Sequence, residues 1–144
     1  KNPVQNGIEA QILDSTKKKG RMGPHDHGGI IRTIGASKNM SKKPGEWNRM
    51  IVTCKGHHLQ LELNGEKIVD IQLDKTPMKD RPLEGYVGLQ DHGEPNNLYF
   101  RNIKIRKLLD EVGELPIETQ AKLLRVLILF LSALWPSTIN YKEF

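Results

Sequence analysis

One cysteine, Cys54, stands in 144 residues. An intramolecular disulfide and a thiolate-only metal site are therefore both excluded. Aromatic residues make up 6% of the chain, which rules out a large aromatic core. No apolar run reaches the roughly 20 residues of a membrane span. The longest, Val126 to Trp135, is interrupted by Ser132. The opening KNPVQNGIEA lacks the positive-then-apolar order of a secretory leader. No segment repeats at a fixed period. There is no G-x-x-x-x-G-K-[ST] loop to cradle nucleotide phosphates. Neither an arginine-rich helix nor a basic stripe interleaved with aromatics is present, which argues against nucleic acid as a partner.

What is present suits a small globular domain. Hydrophobic residues make up 37% and charged residues 27%, with 22 Lys and Arg against 17 Asp and Glu. The charge is uneven. Up to Lys107 there are 19 basic and 12 acidic residues; from Leu108 onward there are 3 and 5. A reversal of that kind marks a boundary near 107. The division expected is 1–108 as one domain and 109–144 as a helical tail of separate origin.

The first part reads as short strands and turns. Ile8-Glu9-Ala10-Gln11-Ile12 alternates apolar and polar, as a half-buried strand does. A lysine- and glycine-rich loop runs from Ser15 to Gly29. Ile30 to Ile34 is a second strand candidate, and Gly35 to Gly45 a second lysine-rich loop. Glu46 to Lys55 reads as a third strand, turned by Gly56-His57-His58. His58 to Leu63 alternates strictly and meets Asn64-Gly65, the strongest short hairpin signal. Glu66 to Leu73 is its partner, with Ile68 inward together with Val69 or Ile71. Tyr86 to Asp91 and Leu98 to Arg106 complete the strands. Many short strands with close turn signals predict an antiparallel sandwich.

The tail has another pattern. Pro116 sits at a helix first turn with Glu118 near the positive end of the dipole. Ala121 to Leu134 is free of glycine and proline, and Pro136 stops it. From Val126 this helix is apolar nearly all round, so it packs against the strands or drives self-association.

Five segments carry a resemblance: Ile8 to Asp14, Lys43-Pro44-Gly45-Glu46-Trp47-Asn48, Leu63 to Asp70, Gly88-Leu89-Gln90-Asp91-His92-Gly93, and Phe100 to Ile105. In order and spacing they resemble the bacterial 3-keto-disaccharide hydrolase domain family over about residues 7 to 108. The resemblance implies an all-β, concanavalin A-like jelly roll with a sugar site on its concave face. It covers the C-terminal part of that domain, so the jelly roll is expected to be incomplete. It further implies a periplasmic or secreted setting. In the tail, Leu109 to Pro116 and Gln120 to Leu127 are similar to the Walker B segment of NtrC-class AAA+ enhancer-binding proteins. There the acidic pair, here Asp110 and Glu111, would handle Mg²⁺ and water. Without a phosphate loop, no ATPase is expected.

The chemistry implied is carbohydrate cleavage. A 3-keto sugar has an acidified C2–H, because the ketone accepts the charge. Removing that proton gives an enolate that expels the glycosidic oxygen from C1, after which water adds. The route needs a base, an acid, and a cation, donor or metal for the enolate. Glu9 and Gln11 share one strand face. By pattern alone that face meets solvent; by the resemblance it lines the site, with Glu9 catalytic and Gln11 binding substrate. His92, in a loop after Gln90, is the second catalytic candidate, with Gln90 a substrate contact and Asp91 orienting His92 or capping the turn. Arg101 reaches a sugar or an enolate oxygen, or is a buried structural arginine paired with a carboxylate. Trp47 stacks on sugar or fills the core. No cofactor is expected. For a metal the weak candidates are His25 and His27, whose imidazoles would point one way in an extended segment, but with no third ligand at a known spacing. The lysine runs read as solvated loop charges, and Cys54 as packed in a strand. Two other readings stand beside the hydrolase: a non-catalytic carbohydrate-binding module, and a gene fragment without function.

Overall fold

The computed structural model describes residues 6–90, 98–106 and 108. Its regular structure is a three-stranded antiparallel sheet in the order β1-β2-β3: β1 (Met50–Lys55), β2 (His58–Leu63) and β3 (Glu66–Gln72). A single 3-10 turn, Leu73–Lys75, follows β3.

Both hairpins form where the glycines dictate. Lys55 pairs with His58 across Gly56-His57, with Gly56 at φ +63°. Leu63 pairs with Glu66 across Asn64 at φ +54° and Gly65 at φ +87°, the two left-handed positions of a two-residue turn. Asn64 also ties this turn to its surroundings. Its Nδ2 donates to the Met40 carbonyl (2.7 Å) and to Asn48 Oδ1 (2.8 Å), and its Oδ1 accepts from the Arg49 N–H (2.9 Å). Asn64→Ala removes all three bonds and strains the left-handed position. It is expected to cost about 2 kcal/mol in urea unfolding. Asn64→Gly, which relieves only the strain, should recover part of that loss.

The strict alternation of β2 buries Leu59, Leu61 and Leu63 completely. Opposite them on β1 lie Cys54, Val52 and Met50, half-buried on the outer strand. On β3 the alternation breaks. Leu61 pairs with Val69 and Glu62 with Lys67, so Ile68 is an extra residue. This bulge lets two neighbours in sequence, Ile68 and Val69, both be buried, with Ile71 partly so.

A layer of irregular chain covers the apolar face of the sheet. Ile8, Ala10, Met22, Ile30 and Ala36 join Leu73, Met78 and the sheet leucines in one core. Gly28, at φ +79°, seats this layer on the bulge, and a Cβ there would lie 2.3 Å from Ile68 Cδ1. The Ser37 N–H donates to the Ile68 carbonyl (2.9 Å).

Several predicted strands take other forms. Ile8 to Ile12 is reduced to a bridge between Ala10 and Ile30. Ile30 to Ile34 is a tight turn, its ends bridged to each other around Arg32 at φ +62°. The third strand starts at Met50 rather than Glu46. Residues 86–90 and 98–106 form no strand. Asn102 is left-handed (φ +55°), which interrupts the extended run, and Ile103 and Ile105 are 61% and 72% exposed. Alternation supplies a face, but a strand also needs a neighbour to pair with. No second sheet forms among the described residues. The predicted tail helix lies outside them.

Candidate functional site

Two of the predicted site residues come together. The Arg101 guanidinium lies over the Trp47 ring, 4.0 Å from its centroid. The pair spans 54 positions, from a loop residue ahead of β1 to a residue in the segment 98–106. Trp47 is 45% exposed, so it is not a core tryptophan. Its loop is pinned by the Glu46 N–H to the Lys43 carbonyl (3.0 Å) and by the Asn48 contact to Asn64. Arg101 is exposed rather than buried beside a carboxylate. The stack is worth about 0.5–1 kcal/mol at such an exposed site, enough to bias the guanidinium's position.

Glu9 and Gln11 flank Ala10 on the bridged segment. Bonds from the Ile31 N–H to the Glu9 carbonyl (3.0 Å), from the Gln11 N–H to the Gly29 carbonyl (2.8 Å) and from the Gly28 N–H to the Gln11 carbonyl (2.8 Å) fix its backbone. Glu9 is half-buried and Gln11 buried. Gln90 is half-buried. His92 and its neighbour Asp91 lie outside the described residues.

The two weak metal candidates differ in setting. Residues 24–28 form a turn instead of an extended run. Asp26 Oδ2 accepts from the Gly23 N–H (2.6 Å) and holds Lys18 Nζ at 3.1 Å. Burial pushes the Asp26 carboxyl up, but the Gly23 bond, Lys18 and His25 together hold it below its ordinary value. His25 is exposed and His27 buried. His27 Nδ1–H donates to the Leu13 carbonyl (2.8 Å), and its own N–H donates to Ser15 Oγ (2.9 Å). Among the described residues no group of three or more His, Cys, Asp or Glu could hold a metal ion.

Burial lowers the His27 pKa, against the opposing pull of the Leu13 bond and Asp14. The unfolded chain therefore takes up a proton before the folded chain does. Stability should be full above pH about 6.5 and fall as pH drops below it, until the folded imidazole also titrates. His27→Gln, with no imidazole to protonate, should flatten that part of the pH profile in thermal unfolding. An unchanged slope would assign the effect to another group.

The polar face of the sheet carries a cluster that sequence reasoning missed. Asp70 Oδ1 accepts from His58 Nε2 (2.6 Å), and Oδ2 accepts from Gln60 Nε2 (3.0 Å) and from Lys67 Nζ. Lys67 first, then His58 and Gln60, hold the carboxyl well below the usual carboxylate range. A carboxylate so occupied stays ionised and makes a poor proton acceptor, so the cluster is read as a brace across β2 and β3. The alternation of β2 and the register of the Asn-Gly hairpin together place Gln60 opposite Asp70. On the apolar face, burial pushes the Cys54 thiol up to about 11. It should therefore react slowly with iodoacetamide in the folded protein and quickly after denaturation.

The domain family described as 3-keto-alpha-glucoside-1,2-lyase-like matches residues 1–106. No curated protein and no solved structure matches the chain. Among the described residues no helix is long and apolar enough to cross a membrane.

Proposed function

The chain belongs to the 3-keto-alpha-glucoside-1,2-lyase-like domain family, and on that premise we propose that it cleaves the glycosidic bond of a 3-keto-disaccharide or a related glycoside. The observation that carries this reading is the match over residues 1–106, which takes in every described site residue. A 1,2-lyase eliminates across C1 and C2. Applied here, a base removes the C2 proton, the electron pair moves toward the C3 ketone, and the C1–O bond then breaks. The leaving oxygen takes a proton, and a C1=C2 enone remains. Water adding across that double bond gives the free 3-keto sugar, so elimination followed by hydration amounts to hydrolysis.

The roles proposed follow residue chemistry. Glu9 is the base at C2–H, and its bridged backbone gives it a fixed origin. His92 is the acid for the leaving oxygen. Arg101, held on Trp47, donates to the enolate oxygen while the exposed part of the indole packs on the sugar. Gln11 and Gln90 bind hydroxyls. Residues 1–108 are the unit that carries this chemistry, and the three-stranded sheet is read as part of a jelly roll. Residues 109–144 are read as a separate tail without ATPase activity, which docks on the strands or self-associates.

A half-exposed Trp47 is also what a non-catalytic carbohydrate-binding module presents to a glycan. Turnover separates the two readings. Trp47→Ala should raise KM for a 3-keto-α-glucoside about tenfold and lower kcat by no more than the few-fold that releasing Arg101 costs, a loss mainly of binding. Saturable sugar binding with no product formed by the unaltered chain would favour the binding module.

A further inference from the structure

Six lysines stand in two loops that the fold joins: Lys17, Lys18 and Lys19 in one, Lys38, Lys42 and Lys43 in the other. Asn39 Nδ2 donates to the Ser15 carbonyl at 2.6 Å, binding the base of the first loop to the second. The second is fixed in turn to the sheet. Asn64 Nδ2 bonds the Met40 carbonyl (2.7 Å), and the Lys42 N–H donates to Asn48 Oδ1 (3.0 Å). Two of the lysines are matched, Lys18 with Asp26 (3.1 Å) and Lys38 with Glu66 (2.8 Å). Lys17, Lys19, Lys42 and Lys43 are exposed and form no ion pair among the described residues. Exposed Arg49 adjoins the same seam, its N–H bonded to Asn64 Oδ1 (2.9 Å). Bonds made by neutral asparagine side chains thus join two loops that together carry four exposed lysines with no ion pair among the described residues, and a bound polyanion would offset that charge.

We propose that this lysine seam is a docking surface for an acidic polysaccharide, a polymer bearing one carboxylate per sugar. The class of partner rests on the carbohydrate reading above; the surface itself rests on the loop contacts. Lysine ammonium groups are compact, mobile point charges suited to carboxylates spread along a chain. Lysines dominate this surface, six against the two arginines that flank the loops, Arg21 and Arg49, and neither 15–20 nor 38–43 contains an aromatic on which a base could stack, so nucleic acid fits less well. Docking here would hold a polymer beside the domain while a separate site works on a sugar end.

The test uses the full chain with sodium polygalacturonate, neutral dextran and duplex DNA as probes at low salt. Polygalacturonate should bind, dextran should not, and added salt should weaken the complex. The variant Lys17→Gln/Lys19→Gln/Lys42→Gln/Lys43→Gln should bind polygalacturonate roughly tenfold or more weakly. Lys75→Gln/Lys79→Gln, the same type of change away from the seam, should bind as the unaltered chain does. Melting temperatures of both variants check that the fold is kept. Lysine-dependent binding in a chain without turnover would support the surface while removing catalysis from the reading above. Equal affinity of both variants, or tighter binding to DNA than to polygalacturonate, would overturn the proposal.

Discussion

Glu9→Gln is expected to lower turnover of a 3-keto-α-glucoside by about 10²–10⁴-fold, the usual worth of a positioned general base. The amide keeps the size of the side chain and one acceptor oxygen but cannot take the C2 proton. The backbone at Glu9 is held by the Ile31 N–H, so the substitution should leave the local fold in place. Substrate affinity should change by no more than a few-fold, and Glu9→Asp should retain part of the activity. His92→Ala should slow the reaction too, with less effect on a glycoside whose leaving group needs no proton. A Glu9→Gln variant with full activity would remove Glu9 from the mechanism, whatever became of the other residues.

The second large effect concerns the fold. Leu61 is fully buried at the centre of β2, opposite Val52 on one side and Val69 on the other, and beneath Gly28. Leu61→Ala should cost about 2–5 kcal/mol, from lost transfer energy and the cavity left behind. That is a large share of the 5–15 kcal/mol typical of a domain, so the variant should unfold at a markedly lower urea concentration and temperature. Glu62→Ala, the next residue on the polar face, should shift urea unfolding by no more than about 0.5 kcal/mol. Equal effects at the two positions would mean that this sheet face is not the core.

The hairpins were legible because their signals are local. Asn64-Gly65 names its own turn, and the alternation in His58 to Leu63 names its own buried face. The bulge was not legible. Whether Val69 or Ile71 accompanies Ile68 inward depends on one unpaired residue, and periodicity assumes there is none. Ile30 to Ile34 misled for a similar reason: its isoleucines suit a strand, but Arg32 takes a left-handed turn that composition does not announce. For Leu98 to Arg106 the alternation is present in the sequence and the ladder is not present in the structure. The candidate site divides likewise. Residue type suggested Trp47 and Arg101 separately, and only the fold shows the guanidinium on the indole. The Asp70 cluster needed the register of two strands at once.

Proton removal at C2 followed by loss of the C1 oxygen can be tested directly. A 3-keto-α-glucoside deuterated at C2 is mixed with the chain and followed by ultraviolet absorbance and product analysis. Deuterium should slow the reaction, an absorbing C1=C2 enone should form and then decay as water adds, and Glu9→Gln should abolish both signals. Release of the sugar with no isotope effect and no enone, or saturable binding with no release at all, would contradict this mechanism.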